Sequence, residues 1–143
     1  MKQRQFLAVA LTCSVFLVSI GCSNPDSKYA KVTGTITYKQ QPVEGANVTF
    51  LPVDSGGEPA SGRTDASGTF SLTSSQAVGG GRGVLPGEYL VIVSKRLPPK
   101  DPDDPNEPAV ELFPAKYSDP GTTDLRVTIT RGSTNTPSFD LTD

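Results

Sequence analysis

The densest group of chemistry-bearing side chains is Asp101, Asp103, Asp104, Asn106 and Glu107. Hard cations such as Ca2+ take oxygen ligands, so this composition suits a Ca2+ loop. The spacing does not. Pro102 and Pro105 stiffen the run, and it has neither EF-hand spacing nor a turn glycine, so a solvated linker is the favoured reading. The chain has no histidine. That removes Ser-His-Asp and Cys-His catalysis and most zinc sites. Gly79-Gly80-Gly81-Arg82-Gly83 invites a phosphate-cradling reading. No Gly-Lys-Ser/Thr ending and no helix pattern follows it, so it reads as a flexible loop. Arg63 with Asp65 and Asp124 with Arg126 are i, i+2 pairs. On strands such residues share a face, and surface ion pairs are their commoner fate. Tyr117 is a candidate ligand contact by stacking on a glycan, weighed against a core plug that anchors the surrounding loop. Asn47-Val48-Thr49 fits a glycosylation sequon. No catalytic residue, metal ligand set or cofactor is expected.

The first segment is of another kind. Lys2 and Arg4 precede an apolar run from Phe6 to Ile20. The run is short for a membrane span and no charged stop-transfer flank follows, which is the pattern of a secretory signal peptide. It ends Val18-Ser19-Ile20-Gly21-Cys22, which resembles a bacterial lipobox, with Ser19 where that pattern prefers Leu. The resemblance implies cleavage after residue 21 and lipidation of Cys22. Ser23-Asn24-Pro25-Asp26-Ser27-Lys28 then reads as a polar tether. This organisation divides the chain into a lipoprotein signal peptide (1–21), a tether (22–29) and a domain (30–143). Of the 13 basic residues, removal of Lys2 and Arg4 leaves 11 against 15 acidic ones. A mildly acidic chain of this kind is a poor nucleic-acid binder. Cys13 lies in the leader, so a lipidated Cys22 leaves no thiol for a disulfide.

The elements that must position any site are strands. Val32, Gly34, Ile36 and Tyr38 alternate with Thr33, Thr35 and Thr37, which is strand periodicity. Lys39-Gln40-Gln41-Pro42 is a turn, and Ala46 to Leu51 is a second strand. Gly62-Arg63-Thr64-Asp65-Ala66-Ser67-Gly68-Thr69-Phe70 reads as strand, tight turn and strand. Asp65 forms an Asx-type turn, and Gly68 supplies the left-handed residue that closes a hairpin. Leu85-Pro86-Gly87-Glu88 fits a type II turn. Tyr89 to Val93 is apolar on both faces, the mark of a central strand. Leu125 to Thr130 and Ser138 to Leu141 are further strands.

Between them, residues 95–121 form a proline-rich loop with two characters. Lys100 to Pro108 has the composition of a solvated segment. Leu112, Phe113 and Tyr117 are large apolar groups, and leaving each in water forgoes about 1.5–3 kcal/mol, so Leu112 to Tyr117 is expected to dock on the domain.

Four stretches together carry a resemblance: Val32-Thr33-Gly34-Thr35-Ile36, Pro42 to Phe50, Thr64 to Phe70, and Leu85-Pro86-Gly87-Glu88-Tyr89. They resemble the carboxypeptidase regulatory-like domain, in small bacterial lipoproteins, with Gln40 where such proteins often have Gly in the first turn. The resemblance implies an all-β fold: a single transthyretin-like Greek-key β-sandwich of about seven strands, preceded by the signal peptide. It implies no reaction. The expected role is a non-catalytic, lipid-anchored extracytoplasmic module with a structural or protein-interaction role in the cell envelope. Its expected partners are the membrane, through the anchor, and an envelope protein or glycan. A carbohydrate- or Ca2+-binding accessory module is the alternative.

Overall fold

A computed structural model of the chain describes residues 28–76, 83–101 and 108–143. Its strands are β1 (Thr33–Tyr38), β2 (Gln41–Pro42), β3 (Asn47–Pro52), β4 (Ala60–Arg63), β5 (Thr69–Ser71), β6 (Thr73–Ser74), β7 (Gly87–Ser94), β8 (Arg96–Leu97), β9 (Val110–Glu111), β10 (Arg126–Ile129) and β11 (Ser138–Leu141). Seven of these have three residues or more, as the all-β expectation requires. One sheet holds β11, β1, β2 and β5; the other runs β10-β7-β3-β4-β6. β8 and β9 form a small ribbon of their own.

The two long sheets form a sandwich because their longer strands are apolar on the inner face. Val32 and Ile36 from one sheet, and Val48, Phe50, Tyr89, Val91 and Val93 from the other, are almost fully buried. Phe50 sits at the centre, with ring centroids 6.2 Å from Phe70, 5.9 Å from Tyr89 and 6.5 Å from Phe139. Each such aromatic pair adds about 0.5–1.5 kcal/mol beyond its area burial. β7 is central, paired with β3 on one side and β10 on the other. Its Tyr89 hydroxyl donates to Leu85 O at 2.9 Å, which gives the buried phenol the partner it needs.

Two turns depart from their sequence expectations, the first only in part. The strands flanking Asp65 do meet in hairpin register: Asp65 N–H donates to Thr69 O at 2.8 Å, and beyond it β6 pairs with β4 through Ala60↔Ser74 and Ser61↔Thr73. Between these points β5 pairs with β1 in the opposite sheet. Residues 64–68 therefore turn a hairpin and at the same time arch from sheet to sheet. Periodicity assigns the faces of each strand but cannot distinguish a hairpin partner from a strand stacked across the core. The Asx turn itself is present: Asp65 Oδ1 accepts from the N–H groups of Ser67 (2.8 Å) and Thr69 (3.0 Å). The second difference is at Leu85 to Glu88. Gly87 has φ +152° and already pairs with Ile129 as the first residue of β7, so the segment is not a type II turn, which needs φ near +80° there.

The first turn is also resolved. Lys39 and Gln40 have φ of +52° and +65°, the type I′ geometry, with no glycine at either position. β11 holds it: Lys39 N–H donates to Leu141 O at 2.9 Å and Gln40 N–H to Asp140 Oδ1 at 3.0 Å.

The strand directions define two poles. β1 begins at Thr33, after the chain has entered at Lys28 to Val32, and runs about 20 Å to Tyr38. The entry pole carries residues 28–32, 52–60, 83–87 and 130–137. The far pole carries residues 39–46, 63–68, 94–97, 110–118 and 142–143. These placements follow from the pairings Thr35↔Ser138, Thr35↔Thr69, Asn47↔Arg63 and Asn47↔Ser94.

Candidate functional site

The arch at 64–68 closes one side of the sandwich, where β4 and β5 are neighbours. The opposite side, between β10 and β11, is joined at the entry pole by residues 130–137 and has no such connection in its far half. The segment expected to dock does so there. Phe113 and Tyr117 are each 4% exposed, and Leu112 packs against the same core. A 3-10 turn, Ala115–Tyr117, aims Tyr117 inward. Its hydroxyl accepts from Thr142 N–H at 3.1 Å, and Phe113 meets Tyr38 edge-on at 5.4 Å. β8 and β9 bring this segment back from Lys95, whose C=O accepts from Leu112 N–H at 2.9 Å. Tyr117 is thus a plug in the far half of the open side, and its ring is not a face open to stacking. Tyr38 donates its hydroxyl to Asp143, and Lys39 Nζ lies 2.5 Å from the same carboxylate.

A second cluster holds the entry pole. Glu58, 14% exposed at its side chain, accepts from Ser74 Oγ at 2.5 Å and Tyr29 Oη at 3.0 Å, with Lys28 Nζ at 3.8 Å. The Ser74 hydroxyl, then Tyr29 and Lys28, hold this carboxyl below its ordinary range. Ala30 pairs with Val84 beside it, through N–H to O bonds of 2.7 and 2.9 Å. No motif announced this latch, because its members come from three separate segments. Since the folded carboxyl is the stronger acid, the latch is intact above the ordinary carboxylate range. It is lost as pH falls through the lowered value. Acidification is expected to speed exchange of the Ala30 amide, corrected for intrinsic rates, while Val91 stays protected. Glu58→Gln is expected to show the fast Ala30 rate already at neutral pH. Equal response of both amides to acid would show that Glu58 holds nothing locally.

Two hollows remain. One, of about 250 Å³, is lined by Pro52, Asp54, Gly57, Glu88 and Tyr89. It is smaller than ordinary ligand sites. Two of its polar side chains already have partners: Glu88 faces Arg126 at 3.5 Å and the Tyr89 hydroxyl is on Leu85 O. The other, of about 500 Å³, lies beside β8 and β9, and its Glu111 carboxylate accepts from Lys95 N–H. Among the described residues, the buried threonine hydroxyls serve the main chain. Thr64 Oγ1 accepts from Ala46 N–H at 2.8 Å and Thr123 Oγ1 donates to Val91 O at 2.8 Å. Arg126 pairs with Glu88 rather than with Asp124, and Asp65 takes the N–H groups of its own turn rather than Arg63. Cys22 and residues 103, 104, 106 and 107 of the acidic cluster lie outside the described residues.

No family model matches this chain, and no curated protein matches it. Two solved structures are similar. One is a DUF3823 family protein from Parabacteroides merdae, 18% identical with a TM-score of 0.38, covering 82% of this chain and 46% of that one. The other is a 9R-lipoxygenase from Cyanothece, 16% identical with a TM-score of 0.41, covering 81% of this chain and 16% of that one. This chain therefore spans less than half the length of either protein. The lipoxygenase activity is a property of that much longer chain.

Proposed function

We propose that this protein is a non-catalytic, lipid-anchored extracytoplasmic module of the carboxypeptidase regulatory-like kind, with a structural or protein-interaction role in a bacterial cell envelope. The observation that carries the reading is the separation of the poles. The chain enters the sandwich at Lys28 to Val32, latched by Glu58, while the plug and the β8–β9 ribbon lie at the opposite end. With Cys22 acylated, residues 23–27 reach at most about 17 Å, which holds the entry pole close to the membrane and presents the rest outward. The polar groups described above stabilise turns, arches and the entry segment, which suits a module that binds rather than reacts. Burial of the Tyr117 ring leaves the carbohydrate-binding alternative without its aromatic platform.

The anchor is tested at Cys22. Wild-type protein is expected in the detergent phase on phase partitioning and Cys22→Ala in the aqueous phase. Each buried acyl methylene contributes about 0.8 kcal/mol, so several chains on one residue give firm retention. Wild-type protein in the aqueous phase would falsify the anchor. The interaction role is tested by capture from native envelopes on the purified protein, with envelope polysaccharide as the competing bait.

A further inference from the structure

The plug fills only the far half of the open side. Along the entry half, both sheets end in unpaired edges. In β11 the pattern follows from its bonds to β1: Thr33 N–H donates to Asn135 O and Thr35 N–H to Pro137 O, while Asn135 N–H donates to Lys31 O. Odd positions therefore turn their main chain toward β1, and Thr136, Ser138 and Asp140 turn theirs outward. Among the described residues, nothing bonds these outward N–H and C=O groups. The slot is bounded. At one end Tyr117 Oη takes Thr142 N–H; at the other, Asn135 closes the β10–β11 turn onto Thr130. Facing it, β10 turns the main chain of Arg126 and Thr128 outward, because Val91 N–H donates to Leu125 O. Between the two edges Leu125, Val127 and Phe139 are only half-buried, though they pack on the core.

Sheet edges are commonly blunted by an outward charge, a bulge or a proline that removes an outer donor. This one is not. Asp140 is the one charged side chain between Thr136 and Leu141, and its Oδ1 is turned onto Thr37 Oγ1 at 2.7 Å and Gln40 N–H. Pro137 lacks its N–H on the β1 side, where the outer edge loses nothing.

We propose that the β11 edge from Thr136 to Asp140 is a strand-addition site for an extended segment of a partner protein. The segment pairs its main chain with Thr136, Ser138 and Asp140 and sets apolar side chains over Leu125, Val127 and Phe139. The chain's own Leu112, Phe113 and Tyr117 meet the same need in the far half of that side. A slot of five residues is about 16 Å long. That is too short for the roughly 800 Å² per partner of a stable dimer, which favours a partner's peptide over a second copy.

The inference rests on the interaction role proposed above and specifies its mode. The test uses the full-length chain carrying Cys22→Ala. The probe is a capped nine-residue peptide of alternating threonine and valine with a lysine at each end. Amide exchange at Thr136, Ser138 and Asp140 is expected to slow by about tenfold or more when the probe saturates. The same peptide N-methylated at alternate residues, unable to pair through its main chain, is expected to give no protection. Ser138→Pro is expected to lose probe binding, while its melting midpoint matches that of Ser138→Ala, which likewise lacks the exposed Thr35 Oγ1–Ser138 Oγ bond but keeps the N–H that the fold leaves unused. Absence of protection, equal protection by the N-methylated peptide, or protection arising from self-association in sedimentation overturns the site. Envelope proteins captured equally by wild type and Ser138→Pro also overturn it, while leaving the interaction role standing.

Discussion

Gly68→Val is expected to destabilise the domain by about 3 kcal/mol, from left-handed backbone strain of about 1–2 kcal/mol and steric overlap of similar size. Gly68 has φ +74°. A Cβ there would lie 2.6 Å from Ile36 O and 3.2 Å from Pro42 Cβ. The turn cannot shift away cheaply, because Gly68 N–H donates to Asp65 O and Gly68 O accepts from Ile36 N–H, at 2.9 and 2.8 Å. The residue thus fixes both the arch and its seat on β1. Urea melts measure the effect, with an unchanged slope showing that the surface exposed on unfolding is the same. Gly68→Asn separates the two causes. Asparagine tolerates the left-handed region but keeps the Cβ, so it is expected to recover only the conformational part. A midpoint unchanged in Gly68→Val would mean that the arch relaxes without cost.

The second large effect is expected at the plug. Phe113→Ala removes a ring that is 4% exposed and packed edge-on against Tyr38. Phe-to-Ala changes at such sites cost about 3–5 kcal/mol. Here the loss is shared with a local alternative. Residues 110–118 are held by the β8–β9 ribbon, Phe113, Tyr117 and one bond to Thr142, so they can detach while both sheets remain. The variant is therefore expected to show two signs together. The melting midpoint falls, and trypsin cuts after Lys116 under conditions where the wild type resists. A lower midpoint without cleavage at Lys116 would mean that the plug and the sandwich unfold as one unit.

Much of the architecture was legible in the residues. The alternation in Thr33 to Tyr38, in Asn47 to Leu51 and in Leu125 to Ile129 assigned faces correctly, because one buried side enforces a period of two. The apolar trio of Leu112, Phe113 and Tyr117 announced its docking through composition alone. What was illegible is connectivity across the core. That the strand after Asp65 pairs with β1 at β5 before it rejoins β4 at β6 depends on which sheet has a vacancy, and no local pattern encodes that. The Glu58 latch was hidden for the same reason, since Tyr29, Glu58 and Ser74 are ordinary surface residues until the fold brings them together. The open edge of β11 was hidden too: Thr136, Ser138 and Asp140 look like any solvated alternation, and only the pairing shows which way their main chain points.

The parallel pairing of β1 with β11 has a consequence for how the protein is made. Thr35 lies beside Ser138, more than a hundred positions later. Until β11 arrives, β1 has no neighbour on that side, and Phe139 and Leu141 are missing from the core around Phe50 and Ile36. Contacts of such separation form late, because the loop between them must close first. A growing chain therefore lacks this lid until residues 138–141 have been synthesised. On the export route proposed above, this delay keeps the chain unfolded during passage and reserves closure of the sandwich for the far side.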